Sequence, residues 1–159
     1  AAQKVRFSTP LRDVLDRLYL EQNRDTMQEL SSILRRQFGE DVLARTIIRD
    51  IEKLDAGLVV VDGARRLADI SSLRALPNFY LVAMAAPARV RYERMTRRRE
   101  NPDDRTKTWE QFQAEERAEA ESLIDQLAAE ANFTIDNDCS IPEMNERLEA
   151  MYQKIQHAG

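Results

Sequence analysis

Several residue types are scarce in this chain of 159 residues, and each scarcity excludes something. A single cysteine, Cys139, leaves no internal disulfide and fits a reducing compartment, so a cytoplasmic protein is expected. The only histidine, His157, stands two residues from the end of the sequence, which argues against a histidine-based metal site or a Ser–His pair in the body of the fold. No stretch approaches 18 uninterrupted apolar residues, which removes a membrane span. The first ten residues, "AAQKVRFSTP", lack the apolar centre of a signal peptide. Glycine occurs only at Gly39, Gly57, Gly63 and Gly159. They are never clustered, so no G-x-x-x-x-G-K-[ST] loop is present in these residues.

What is abundant is charge, and it is unevenly spread. The net charge is −4. Between Arg89 and Lys107, however, eight basic residues (Arg89, Arg91, Arg94, Arg97, Arg98, Arg99, Arg105, Lys107) face four acids, leaving −8 on the remainder. A basic patch on an acidic protein of pI near 5.2 points to a small anionic ligand rather than a nucleic-acid track. A solvated helix face laced with ion pairs is the plain alternative.

Short apolar runs alternate with helical patterns, the mark of an α/β protein with a parallel sheet in one domain. Lys4–Phe7 reads as the tail of a strand, followed by Ser8-Thr9-Pro10 as a hydroxyl N-cap with proline opening a helix. Thr26–Glu29 has capping-box spacing, with a helix stop near Gly39. Apolar residues from Val42 to Leu54 mark a third helix that Gly57 would close. Leu58–Val61 and Phe79–Ala85 do not alternate, which predicts two strands buried on both faces. Pro87 opens a helix bearing the arginines, and residues 100–104 break it. Capping boxes at Thr108–Gln111 and Ser140–Glu143 open a helix reaching about Ala131 and the final helix. A short strand at 133–136 lies between them.

In a doubly wound parallel sheet, ligands collect at the carboxyl ends of strands. Phe7 leads to Ser8 and Arg12, Val61 to Asp62, Gly63 and Arg65, and Ile135 to Asp136 and Asn137. A carboxylate after a hydrophobic strand, as at Asp62, can hold hydrated Mg²⁺ beside phosphate. As a turn or cap residue Asp62 would need no such role. Arg65 could grip phosphate or carboxylate with two parallel hydrogen bonds. The density of arginines from Arg94 to Arg99, ahead of a Pro/Asp-rich break and a second long helix, suits a lid that closes on phosphates at about 97–108.

These stretches, in this order, resemble the P-loop nucleoside monophosphate kinases, in particular the dephospho-CoA kinase-like and deoxynucleoside monophosphate kinase-like branch. "FSTPLRDVL", "NRDTMQELSSILRRQFGEDVLART", "VVVDGARRLADISSLRAL", "FYLVAMAAPARVRYERMTRRR", "TWEQFQAEERAE" and "FTIDND" carry the resemblance across residues 4–155. It implies a three-layer α/β/α fold with strand order 2-3-1-4-5, acceptor-binding helices at about 10–56, and transfer of the ATP γ-phosphate to a nucleotide or dephospho-CoA-like acceptor, with Mg²⁺. It implies that Asp62 assists Mg²⁺ or acceptor positioning, that Arg24 and Arg65 hold the acceptor with Ser8 and Arg12 bordering its pocket, and that Arg94, Arg98, Arg99 and Arg105 clamp phosphates. Asn137 and Asp138 would lie near the adenine. The family's first strand and Gly-rich loop would require about 25 residues ahead of Lys4. An N-terminally incomplete kinase chain is therefore expected. The alternative is a non-catalytic nucleotide-binding or assembly protein, with a homodimer completing the sheet.

Overall fold

The computed structural model describes residues 2–98, 102–120 and 124–158. Among these residues it is a mixed α/β structure with two small parallel sheets. The described residues fall into two compact units, the first taking in the residues to Ala75 with Pro102 and Asp103, the second Leu76 to Arg98 and the residues from Asp104 on. Among the described residues no helix is long and apolar enough to cross a membrane.

In the first unit, strand β1 (Ala2–Arg6) pairs in parallel with β2 (Leu58–Asp62), from Ala2 opposite Leu58 to Arg6 opposite Asp62. Between them come helices α1 (Thr9–Arg17), α2 (Arg24–Phe38) and α3 (Val42–Ile51), and α4 (Leu67–Leu73) follows β2. Phe7, Leu11, Leu15, Leu43, Ala44, Ile47, Ile70 and Leu73 form the core. On α1 and α3 these side chains recur at helical spacing, which turns one stripe of each helix inward.

Local chemistry departs from the sequence reading at several points. Ser8 stands at the N-cap of α1, but its hydroxyl makes no capping bond, because its backbone is already helical (φ −78°, ψ −17°) and turns the side chain away from the orphan N–H groups. The box at Thr26–Glu29 does not form. Asn23, in extended backbone, caps α2 instead, its Oδ1 accepting from the Thr26 N–H at 2.9 Å. Helix α2 stops at Gly39, whose φ of +105° costs a glycine little. Helix α3 ends at Ile51, short of Gly57.

Strand β2 is not buried on both faces. Leu58 is 40 % and Val60 49 % exposed, while Val59 and Val61 are half-buried. Alternation in burial without alternation in sequence follows from the sheet's size: with two strands and helical cover over one face, the other face meets water.

In the second unit, β3 (Val82–Ala85) pairs in parallel with β4 (Phe133–Asp136). The described strand is shorter than the apolar run at 79–85, and Met84 is exposed, so burial on both faces fails here too. Helix α5 (Ala88–Arg98) leads to a short 3-10 turn (Pro102–Arg105), then α6 (Trp109–Ala120), α7 (Ile124–Ala129) and α8 (Ile141–Ala158). Helix is thus present at both ends of the stretch expected to be one long helix. Both capping boxes predicted for this stretch, at Thr108 and Ser140, form. The Thr108 N–H donates to Gln111 Oε1 at 2.9 Å, and the Gln111 N–H donates back to Thr108 Oγ1 at 3.2 Å. Ser140 donates from its N–H (2.9 Å) and its hydroxyl (2.7 Å) to Glu143 Oε2. The hydroxyl and backbone bonds from Ser140 hold the Glu143 carboxyl below its ordinary pKa.

Tyr92, Trp109 and Phe112 pack ring to ring, Trp109 and Phe112 stacked with centroids 5.7 Å apart. The Arg89 guanidinium lies 5.1 Å above the Trp109 ring. The Tyr92 hydroxyl donates to the Lys107 carbonyl at 3.0 Å, and Lys107, itself buried, reaches Glu115 at 2.8 Å. These contacts tie α5 to the start of α6, and Asp104 just before them is fully buried.

Candidate functional site

The predicted site residues divide between the two units. Ser8, Arg12, Arg24, Asp62 and Arg65 belong to the first, and Arg94, Arg98, Arg105, Asn137 and Asp138 to the second. Arg99 lies outside the described residues.

At the carboxyl end of the first sheet, the Phe7 N–H donates to the Asp62 carbonyl at 3.0 Å, adding one rung past the strands and setting Ser8 beside the turn at Gly63. Gly63 has φ +89°, and a Cβ there would sit 3.8 Å from the Phe7 Cβ. Space is therefore ordinary, and it is the left-handed backbone that favours glycine. The Asp62 side chain is 50 % exposed; its Oδ2 lies 2.9 Å from Lys4 Nζ and 3.5 Å from Arg6 Nε. The parallel register explains this, since Lys4, Arg6 and Asp62 share the face that carries Leu58 and Val60. Arg12 Nη1 donates to Gln22 Oε1 at 3.3 Å, while Arg24 opens α2.

Beyond the strand end, the exposed Arg65 and the Arg66 N-cap of α4 lead into Asp69 in that helix's first turn. Asp69 is 1 % and Arg35 5 % exposed, and Arg35 Nη2 meets Asp69 Oδ1 at 2.9 Å. Arg35 also donates from Nε to Ser31 Oγ at 3.3 Å and from Nη1 to the Glu40 carbonyl. The other carboxylate oxygen of Asp69 accepts the Arg65 N–H at 3.4 Å. Glu40 in turn pairs with Arg66 at 3.0 Å. The sequence reading missed this pair. Its signal was available: Asp69 sits among Leu67, Ile70 and Leu73 at an inward helical position, and one charge there requires an opposite charge elsewhere.

At the carboxyl end of the second sheet, the Asn137 N–H donates to the Ala85 carbonyl, again one rung past the strands. The Asp138 N–H donates to Asp136 Oδ1 at 3.0 Å. Arg94 Nη1 donates to the Asn137 carbonyl at 2.7 Å, and Arg147 donates to the Asp136 carbonyl. One nitrogen of Arg94 is therefore committed to the strand-end turn. Arg105 is exposed and makes no ion pair among the described residues.

No protein-family model matches the chain. Known relatives do. A UPF0200 protein of Hyperthermus butylicus is 28% identical over 149 residues, covering 94% of this chain and 79% of the relative. One from Thermococcus onnurineus is 28% identical, covering 86% of the chain and 75% of the relative. Another, from Staphylothermus marinus, is 33% identical over 127 residues, covering 80% and 66%. The chain is a homologue of the archaeal UPF0200 proteins. That name states no reaction.

Asp62 does not fit direct metal ligation. Two cations already meet its Oδ2, and among the described residues no group of three or more His, Cys, Asp or Glu side chains is placed to hold a metal. The arrangement suits Asp62 to ordering Lys4 and Arg6 at the strand end.

Proposed function

We propose that this chain carries the acceptor-binding and lid elements of a P-loop nucleotide kinase, with the ATP phosphate loop supplied by residues ahead of Lys4 in the full gene product. The observation that carries the reading is strand pairing. A sheet of order 2-3-1-4-5 pairs its second strand with its third and its fourth with its fifth, all parallel, and the third and fourth each keep one edge for the first. The pairs β1–β2 and β3–β4 follow that rule. Among the described residues β2 and β3 have no second partner, and an open edge in a parallel sheet is costly unless another strand covers it.

In this reading Arg24 and Arg65 hold the acceptor, with Ser8 and Arg12 at the border of its pocket, and Asp62 acts on the acceptor side through Lys4 and Arg6. Arg98, Arg99 and Arg105, with the uncommitted part of Arg94, clamp phosphates. Asn137 and Asp138 border the adenine. The alternative is an assembly protein that binds phosphate without turnover and covers its open strand edges with a second copy.

The test is ADP release by the full gene product over a panel of nucleoside monophosphates and dephospho-CoA, with and without Mg²⁺. The kinase reading expects Mg²⁺-dependent turnover with at least one acceptor. It also expects Arg65→Ala to weaken use of that acceptor with little change in thermal stability. An upstream sequence without a phosphate loop, or no turnover with any acceptor, leaves the assembly reading standing.

A further inference from the structure

The buried pair Arg35–Asp69 does more than fill the first unit. All three nitrogens of Arg35 meet acceptors on different segments: Ser31 within α2, the Glu40 carbonyl in the turn after it, and Asp69 on α4. Asp69 spends its second oxygen on the Arg65 N–H, in the loop between β2 and α4. From the other side, Glu40 pairs with the side chain of Arg66, the next residue. The loop following Asp62 and Gly63 is thus gripped at two consecutive residues, both grips leading back to the end of α2.

We infer that Arg35 and Asp69 are positioning residues, fixing the backbone at residue 65 so that the Arg65 side chain is presented in one direction to an anionic acceptor group. The inference rests on the kinase reading for the identity of the acceptor, but not for the geometry. The physical case is one of directional hydrogen bonding. A guanidinium offers donors in a fixed planar fork, and a carboxylate accepts on both oxygens, so Arg35 and Asp69 transmit orientation from helix to loop. An apolar pair of equal volume would fill the space without fixing the loop.

Two variants separate this from a bland core role. Asp69→Asn keeps the volume but replaces one accepting oxygen with a donor, so Arg35 and the Arg65 N–H cannot both be served. Arg35→Lys keeps the charge but cannot reach three segments at once. Arg49→Ala, which removes an exposed pair with Glu52, is the control. Amide hydrogen exchange in the full gene product is expected to rise on the order of tenfold or more at Arg65 in both variants, while the β1 and β2 amides stay protected. With an acceptor in hand, KM for that acceptor should rise on the order of tenfold while kcat holds, since misplacing a binding group acts on orientation. Unchanged exchange at Arg65, or a loss spread evenly through the unit, overturns the inference. If wild-type protein turns over no acceptor, the kinase reading falls, and the exchange result alone decides whether Asp69 holds the loop.

Discussion

The carboxyl ends of β2 and β4 are alike in backbone and unlike in what secures them. Each adds one hydrogen-bonded rung beyond the strands, through Phe7 to Asp62 or through Asn137 to Ala85, and each strand ends on an aspartate, Asp62 or Asp136. At β2 the following loop is fastened by a buried ion pair, Arg35–Asp69. At β4 the turn is fastened by exposed arginines, Arg94 and Arg147, donating to carbonyl oxygens. Burial sets the stakes. An uncompensated charge in the interior has no water to turn to, whereas an exposed arginine that loses its partner is rehydrated. Breaking the pair at the β2 end therefore costs more than breaking the exposed contacts at the β4 end.

The largest expected effect lies in the buried pair. Arg35→Ala leaves Asp69 buried and unpaired and should lower stability by about 3–5 kcal/mol, measured by urea unfolding. Arg147→Ala, on the same measurement, should cost under about 1 kcal/mol. Comparable losses would erase the distinction between the two ends.

A middle-sized effect is expected at Gly63. Its φ of +89° is a conformation that side chains with a Cβ resist, so Gly63→Ala should cost about 1–2 kcal/mol with no clash to blame. Space near Phe7 is ordinary, and a neutral result would mean that the turn relaxes to negative φ.

The smallest effect comes from acid and falls on one end only. Glu143, in the box that starts the helix carrying Arg147, has its carboxyl pKa lowered by the bonds from Ser140. A folded-state pKa below the unfolded one contributes stability that is complete above the ordinary glutamate range and disappears as pH falls through the lowered value. Amide exchange at Ser140 should therefore quicken over that acidic window while the Arg65 amide is unaffected. Equal quickening at both would show that acid loosens the whole fold rather than this box.

What could be read from the sequence followed local rules. The boxes at Thr108 and Ser140, the stop at Gly39 and the strand at 133–136 were legible because hydroxyl, carboxamide or carboxylate groups and glycine act on backbone a few residues away. Local rules failed where a competing neighbour was as close. Asn23 took the cap of α2 because its carboxamide accepts the Thr26 N–H directly, which left the Thr26 box unmade.

By itself, then, the sequence determined the alternation of strands and helices, the choice of strand-end residues at Asp62 and Asp136, and the crowding of arginines on α5. All of these are properties of neighbouring residues along the chain. Only tertiary structure decided that β2 shows Leu58 and Val60 to water, that Asp62 answers Lys4 and Arg6, and that Asp69 finds Arg35 across 34 positions. Burial and ion pairing depend on which faces meet. That is fixed by how the helices pack over a two-stranded sheet, a relation that hydrophobic runs and spacing do not encode.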